Sequence, residues 1–171
     1  MKLSAIGSVW IGSLALGLAL GAGCAPHKPI TERDRKEAAH LVSEAQFAVT
    51  MREWARAEAL LVKAVSVAPL ADYWISLGAV RVRLNNRPGA QAAYESALKA
   101  LEREAALNAT AVEPWIKQAY VLALLGRRNE SRAVSAKAAR IFPHDVKVRA
   151  LAEPREFERM VSSPAFKEMA L

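Results

Sequence analysis

The chain has 171 residues, 53% of them apolar and 6% aromatic, which suffices for one domain with a hydrophobic core and not for two comfortable ones. Lys and Arg number 24 against 17 Asp and Glu, a formal net charge of +7, and a single cysteine excludes an internal disulfide. No stretch alternates apolar with polar β-branched residues, so a sheet is not expected, and the abundant alanine predicts an all-α chain of closely packed helices.

A basic balance raises nucleic acid, an anionic membrane surface or an acidic partner as ligands. Here Arg33, Arg35, Lys36, Arg52, Arg56, Lys99, Arg103, Arg127, Arg128, Arg132, Lys137 and Arg140 are scattered over outward helix positions and interleaved with Glu and Asp. That is the pattern of a solvated surface, and nucleic acid is not expected as a partner.

Residues 1–23 carry one charge, Lys2, then an uncharged stretch from Leu3 to Leu20, then Gly21, Ala22 and Gly23. A short positive region, an apolar core and small residues at the end make a secretory signal peptide. It runs directly into Cys24, the only cysteine. Leu20-Gly21-Ala22-Gly23-Cys24 resembles the bacterial lipobox, which implies cleavage before Cys24, lipidation of that cysteine and a lipid anchor. Gly21 stands where the family favours Leu, Val or Ile. Ala25, in place of an Asp retention signal, implies delivery to the outer membrane, facing the periplasm. Two other readings stay open. The stretch is long enough to be an uncleaved inner-membrane anchor, although glycines at 7, 12, 17, 21 and 23 weaken a spanning helix; or Cys24 is a free buried thiol. Residues 24–30, with Pro26 and Pro29, form a tether that cannot be helical for long.

From Thr31 the period becomes helical, with Asp34 three residues on in a capping-box arrangement. Ala38, Leu41, Ala45, Ala48 and Val49 face inward until about Met51. Trp54 heads a second helix and covers the turn, and Ala57, Leu60, Leu61, Ala64 and Val65 follow before Pro69. In the next stretch Trp74, Leu77, Gly78, Arg81 and Leu84 share one face. A turn is expected over Asn85 to Gly89, and Ala90, Ala93, Tyr94, Ala97, Leu98 and Leu101 line the following helix. Thr110 to Glu113 forms another capping box, and Pro114 falls in the first turn. Trp115, Ala119, Leu122 and Leu125 face inward, Gly126 leaves the helix through a positive φ, and a last full helix runs from about Asn129 to Phe142 with Ser131 and Ser135 inside.

Small residues thus recur where helices must approach closely. Trp74, Leu77-Gly78, Ala90, Tyr94 and Ala97 resemble the tetratricopeptide repeat (TPR), and the pattern extends to both flanks. Leu41, Ala45, Ala57, Leu61 and Ala64 match it upstream; Trp115, Gly126, Ala138 and Pro143 match it downstream. Leu41 to Trp74 is 33 residues (74 − 41), close to the family's period of about 34. Trp74 to Trp115 is 41 (115 − 74), and the excess of about two turns is assigned to a longer helix through Ala100 to Leu107. The resemblance implies three TPR-like repeats within 31–144, at about 38–70, 71–107 and 112–144. Residues 145–171, carrying Phe157, Met160, Val161, Phe166, Met169 and Leu171, are expected to form a helical cap over the bare end of the stack, or alternatively a partner-docking appendage.

No catalytic constellation is legible. His27, His40 and His144 lack metal-ligand neighbours, no phosphate loop or nucleophile elbow occurs, and no metal or cofactor is expected. The chain is not expected to be an enzyme. The resemblance implies instead a concave binding groove lined by Val42, Gln46, Val49 and Thr50, then Ile75, Ala79, Val82 and Arg83, then Ile116, Tyr120, Ala123 and Leu124. The carboxylate clamp of chaperone adaptors is absent, because Val42, Gln46, Ala79 and Tyr120 occupy its places. The groove either takes an amphipathic or extended segment of another protein, or is filled by the first helix or the tail of the chain itself. The expected function is a lipid-anchored scaffold or adaptor that binds an envelope protein or peptide and assists assembly of an outer-membrane, pilus or secretion complex. The alternatives are a regulator docking a peptidoglycan enzyme, and an inner-membrane assembly factor with an uncleaved anchor.

Overall fold

The computed structural model describes residues 29–171. The expected signal peptide, the lipidation site Cys24 and nearly all of the tether lie outside the described residues. Helices α1 (Glu32–Thr50), α2 (Trp54–Val67), α3 (Ala71–Arg83), α4 (Arg87–Leu107), α5 (Glu113–Leu124) and α6 (Arg128–Ile141) pack as successive hairpins. Three shorter helices follow, α7 (Val146–Ala152), α8 (Pro154–Ser162) and α9 (Pro164–Lys167). Among the described residues no strand occurs, and no helix is long and apolar enough to cross a membrane.

Each hairpin turn is built the same way. After α1 the chain reverses through Arg52 at φ 60°, after α3 through Asn85 at φ 57°, and after α5 through Gly126 at φ 73°. In each turn the next residue's N–H reaches back to the last helical turn: Glu53 to the Ala48 carbonyl at 2.8 Å, Asn86 to Arg81 at 2.8 Å, and Arg127 to Leu122 at 2.9 Å. This is the Schellman arrangement, which satisfies helix-end carbonyls that would otherwise be orphaned. Arg52 to Asn85 is 33 residues (85 − 52) and Asn85 to Gly126 is 41 (126 − 85), the intervals read from Leu41, Trp74 and Trp115. The backbone therefore repeats in the register of the side chains.

The buried contacts between paired helices keep that register too. Ala45, Gly78 and Ala119 are buried on the first helices, opposite Ala57, Ala90 and Ser131 and then Leu61, Tyr94 and Ser135 on the second. Gly78 is necessary where it stands: a Cβ there would lie 2.3 Å from Tyr94 Cε1 and 2.6 Å from its Cδ1. In the third hairpin the serines keep their hydroxyls satisfied. Ser131 Oγ donates to the Ala119 carbonyl at 2.6 Å and Ser135 Oγ to the Ser131 carbonyl at 2.9 Å. Such bonds contribute about 1 kcal/mol each, whereas an unmade one at a buried hydroxyl costs more. Helix α4 is 21 residues long against 14 for α2, and the added length falls in the stretch ending at Leu107.

Some expectations are corrected. Glu113 begins α5 with Val112 as its N-cap and no side-chain cap, because Thr110 Oγ1 donates to Asn108 Oδ1 at 2.9 Å instead of turning to the helix. Gly89 is not in the turn. It sits in the first turn of α4, where its N–H donates to Asn86 Oδ1, so the turn ends at Asn86. Trp115 is only half-buried; its ring lies beneath Lys137 Nζ, while Pro114 and Gln118 take the inward positions. The first helix does begin where the sequence placed it, at Glu32 behind a complete capping box between Thr31 and Asp34.

Beyond the hairpins, α7 packs on α6, and α8 buries Phe157 and Val161 in the core shared by α4 and α5. Glu158 on α8 pairs with Arg132 on α6, and Arg132 also stacks over the Phe157 ring at 5.1 Å. Up to Ser162 the tail covers the end of the stack. The last nine residues go elsewhere.

Candidate binding groove

The inner surface of the stack is presented by α1, α3 and α5. On α1, Val42, Gln46, Val49 and Thr50 recur at helical spacing, and on α3 Ile75, Ala79 and Arg83 do the same. All seven line one open cavity of about 450 Å3, which also takes in Trp54, Ser76 and, from the far end of the chain, Met169. Its wall is chiefly apolar. Among the described residues lining it, Arg83 is the one formal charge, and its guanidinium lies 5.6 Å from the Trp54 ring centroid. Trp54 is thus part of the groove wall and does more than cover the turn; the repeat register alone does not predict this, since Trp54 belongs to a second helix.

The other five predicted groove residues are not on that cavity. Val82 packs, half-buried, against the core shared by α4, α5 and the tail, and Ala123 and Leu124 are buried in it. Ile116 is half-buried outside the cavity lining. Tyr120 meets the Phe166 ring edge-on, with centroids 5.5 Å apart and planes at 85°. The physical reason for the difference is the tail. After Ser163, α9 and the last residues turn back along the inner face of α3 and α5, so the trough is filled in its second half and open in its first. Of the two occupancies left open by the sequence, the structure places the chain's own tail over α5, and no other described residue covers the α1/α3 portion.

Four interactions hold the tail there. Phe166 packs on Tyr120, Glu168 pairs with Arg83, the Tyr94 hydroxyl donates to the Met169 carbonyl at 2.7 Å, and the Leu171 N–H donates to the Leu124 carbonyl at 3.0 Å. Burial pushes the Tyr94 hydroxyl well above the ordinary tyrosine range, with Tyr120 adding to it, and burial raises Tyr120 as well. Both phenols are therefore neutral at physiological pH, and Tyr94 keeps the proton it donates. Lys117 on α5 reaches across to Asp72 on α3, 2.7 Å from Oδ1, and ties the two inner helices together.

His40 lies 3.0 Å from Glu44 on the exposed side of α1, and among the described residues no group of His, Cys, Asp and Glu could hold a metal ion.

No protein-family model matches the chain, and no curated protein matches it. Among solved structures it is similar to the Arabidopsis OM64 TPR domain, with 15% sequence identity, a TM-score of 0.44, and coverage of 74% of this chain and 98% of that one.

Proposed function

We propose that this chain is a non-catalytic scaffold of the bacterial envelope, held to a membrane by a lipid on Cys24, and that it binds a segment of another protein in the trough between α1 and α3. The open apolar cavity carries the reading. Val49, Ile75 and Ala79, half-buried above the buried Val42, present apolar surface on a wall that a helical or extended segment can cover, and stacked helix pairs supply such troughs through their geometry alone. The envelope location rests on the sequence of residues 1–24, where an apolar signal ends in small residues at a lone cysteine. Assistance to an outer-membrane, pilus or secretion assembly is the role such an anchored adaptor serves.

A photo-crosslinking side chain placed at Gln46 or at Ala79, in the intact chain in its own cells, tests the trough. The expected result is a discrete protein adduct from both positions and none from Gln91 or Lys99, which are exposed on α4. Equal adducts from α4 positions, or none from either groove position, refute the reading. In the same strain, Cys24→Ser is expected to release the chain from the membrane fraction, and its retention there would favour an uncleaved anchor.

A further inference from the structure

We infer that residues 163–171 are a displaceable internal ligand of the groove, and that the partner segment carries the same chemistry: an aromatic residue, an acidic residue two positions later, and an apolar residue next to it. This deepens the groove reading and rests on it. The tail shows what the trough accepts. Phe166 finds an aromatic edge at Tyr120, Glu168 finds Arg83, and Met169 reaches the mouth of the open cavity. Charge complementarity fixes the acid, since Arg83 is the one formal charge among the described residues lining that cavity.

The seat is built for exchange. Pro164, Ala165, Lys167 and Glu168 are exposed, and the Arg83–Glu168 pair is open to solvent at both ends, a kind of contact that adds little stability. Phe166 is the one side chain of α9 buried in the core, whereas α8 is fixed there by two, Phe157 and Val161. The cavity continues from Met169 along α1 and α3, so a longer segment with the tail's pattern covers the tail's seat and the empty portion together. It therefore buries more apolar surface than the tail does alone. While the tail is seated, only the fraction of molecules with the seat open can bind, and apparent affinity falls by that fraction.

The test uses the full chain and a fluorescent peptide of residues 162–171, read by anisotropy. Glu168→Arg sets like charges against Arg83 and loosens the internal copy. The peptide is expected to bind this variant about tenfold tighter than it binds the unmodified chain. Arg83→Glu is expected to weaken binding several-fold, and a peptide with Glu168→Arg to restore it. Phe166→Ala, with its fold checked by far-ultraviolet circular dichroism, is a second way of loosening the tail and should also tighten binding. Equal affinity for all variants, or no saturable binding to either loosened chain, overturns the inference. So does a dimer that the peptide splits into monomers, because the tail would then sit in a second copy. Failure here alongside crosslinks from Gln46 would leave the groove reading standing. Success here without such crosslinks would remove the envelope partner and leave the internal ligand.

Discussion

Replacing Gly78 with Ala is the sharpest probe of the packing that creates the groove. The new Cβ would sit 2.3 Å, 2.6 Å and 2.8 Å from three carbons along one edge of Tyr94, whereas ordinary contact begins near 3.4 Å. The ring must retreat by about 1 Å, and it is not free to do so, because it is fully buried and its hydroxyl is held 2.7 Å from the Met169 carbonyl. Overpacking of this kind costs about 1–3 kcal/mol. Loss of the Tyr94 bond adds about 1 kcal/mol. The better helix propensity of Ala returns about 1 kcal/mol. The net expectation is a loss of about 1–3 kcal/mol, which for a domain of this size lowers Tm by roughly 4–12 °C. The first hairpin supplies the control, since it carries Ala45 and Leu61 at the positions of Gly78 and Tyr94. Tyr94→Leu in the second hairpin makes room, so adding Gly78→Ala to it should raise stability by up to about 1 kcal/mol, and the two substitutions should couple by about 1–4 kcal/mol in a double-mutant cycle. Thermal melts followed by circular dichroism read all four chains. A Gly78→Ala chain as stable as the parent, or strict additivity with Tyr94→Leu, would refute the close approach assigned to this pair.

Arg52 holds a left-handed backbone that costs an L residue about 1–2 kcal/mol, so Arg52→Gly should gain about 0.5–1 kcal/mol after the entropy glycine loses on folding; a lowered denaturation midpoint would contradict this. Arg81 bridges Glu58 at 2.8 Å and the Gly89 carbonyl at 3.0 Å in a partly buried site. Arg81→Met should cost about 1–2 kcal/mol in urea unfolding and less when Glu58→Met accompanies it, because the paired change leaves no stranded carboxylate. Burial raises the folded-state pKa of Tyr94, so above about pH 10 the unfolded chain releases a proton that the folded chain retains. The stability held below that pH should then fall as pH rises toward the folded value, and Tyr94→Phe should flatten the decline in urea midpoints measured between about pH 9 and about pH 11.

The three hairpins also explain how much could be read in advance. Close helix approach demands small residues at fixed intervals, and no other constraint places Ala45, Gly78 and Ala119, or Ala57, Ala90 and Ser131, in one register. The pairing of helices and the lengthened α4 were legible for that reason. Local hydrogen bonding was not. Thr110 had a nearby Asn108 to bond, and its competition with the helix N-terminus leaves no trace in a capping-box pattern. Nor did a single residue announce the two non-glycine reversals at Arg52 and Asn85, since only alignment with Gly126 shows that the backbone needs a positive φ there.

The groove divides along the same line. On α1 and α3 the positions that the TPR resemblance implied for a groove, among them Val42, Gln46, Ile75 and Ala79, line the open cavity. Its closure over α5 depends on contacts between segments about 50 to 85 residues apart, such as Phe166 with Tyr120 and Glu168 with Arg83, which no periodicity encodes. What the sequence did carry was chemical: an aromatic, an acid and a methionine at the chain's end matched a tyrosine, an arginine and an apolar trough on its inner face. Complementarity between a terminal segment and a surface of the same chain describes a bound ligand as well as a cap, and what separates the two is how firmly buried side chains anchor the segment, since exposed ion pairs occur on both α8 and α9. Helix α8 sets two side chains, Phe157 and Val161, in the core, whereas α9 sets one, Phe166, so the tail holds the trough only until a longer segment of the same character arrives.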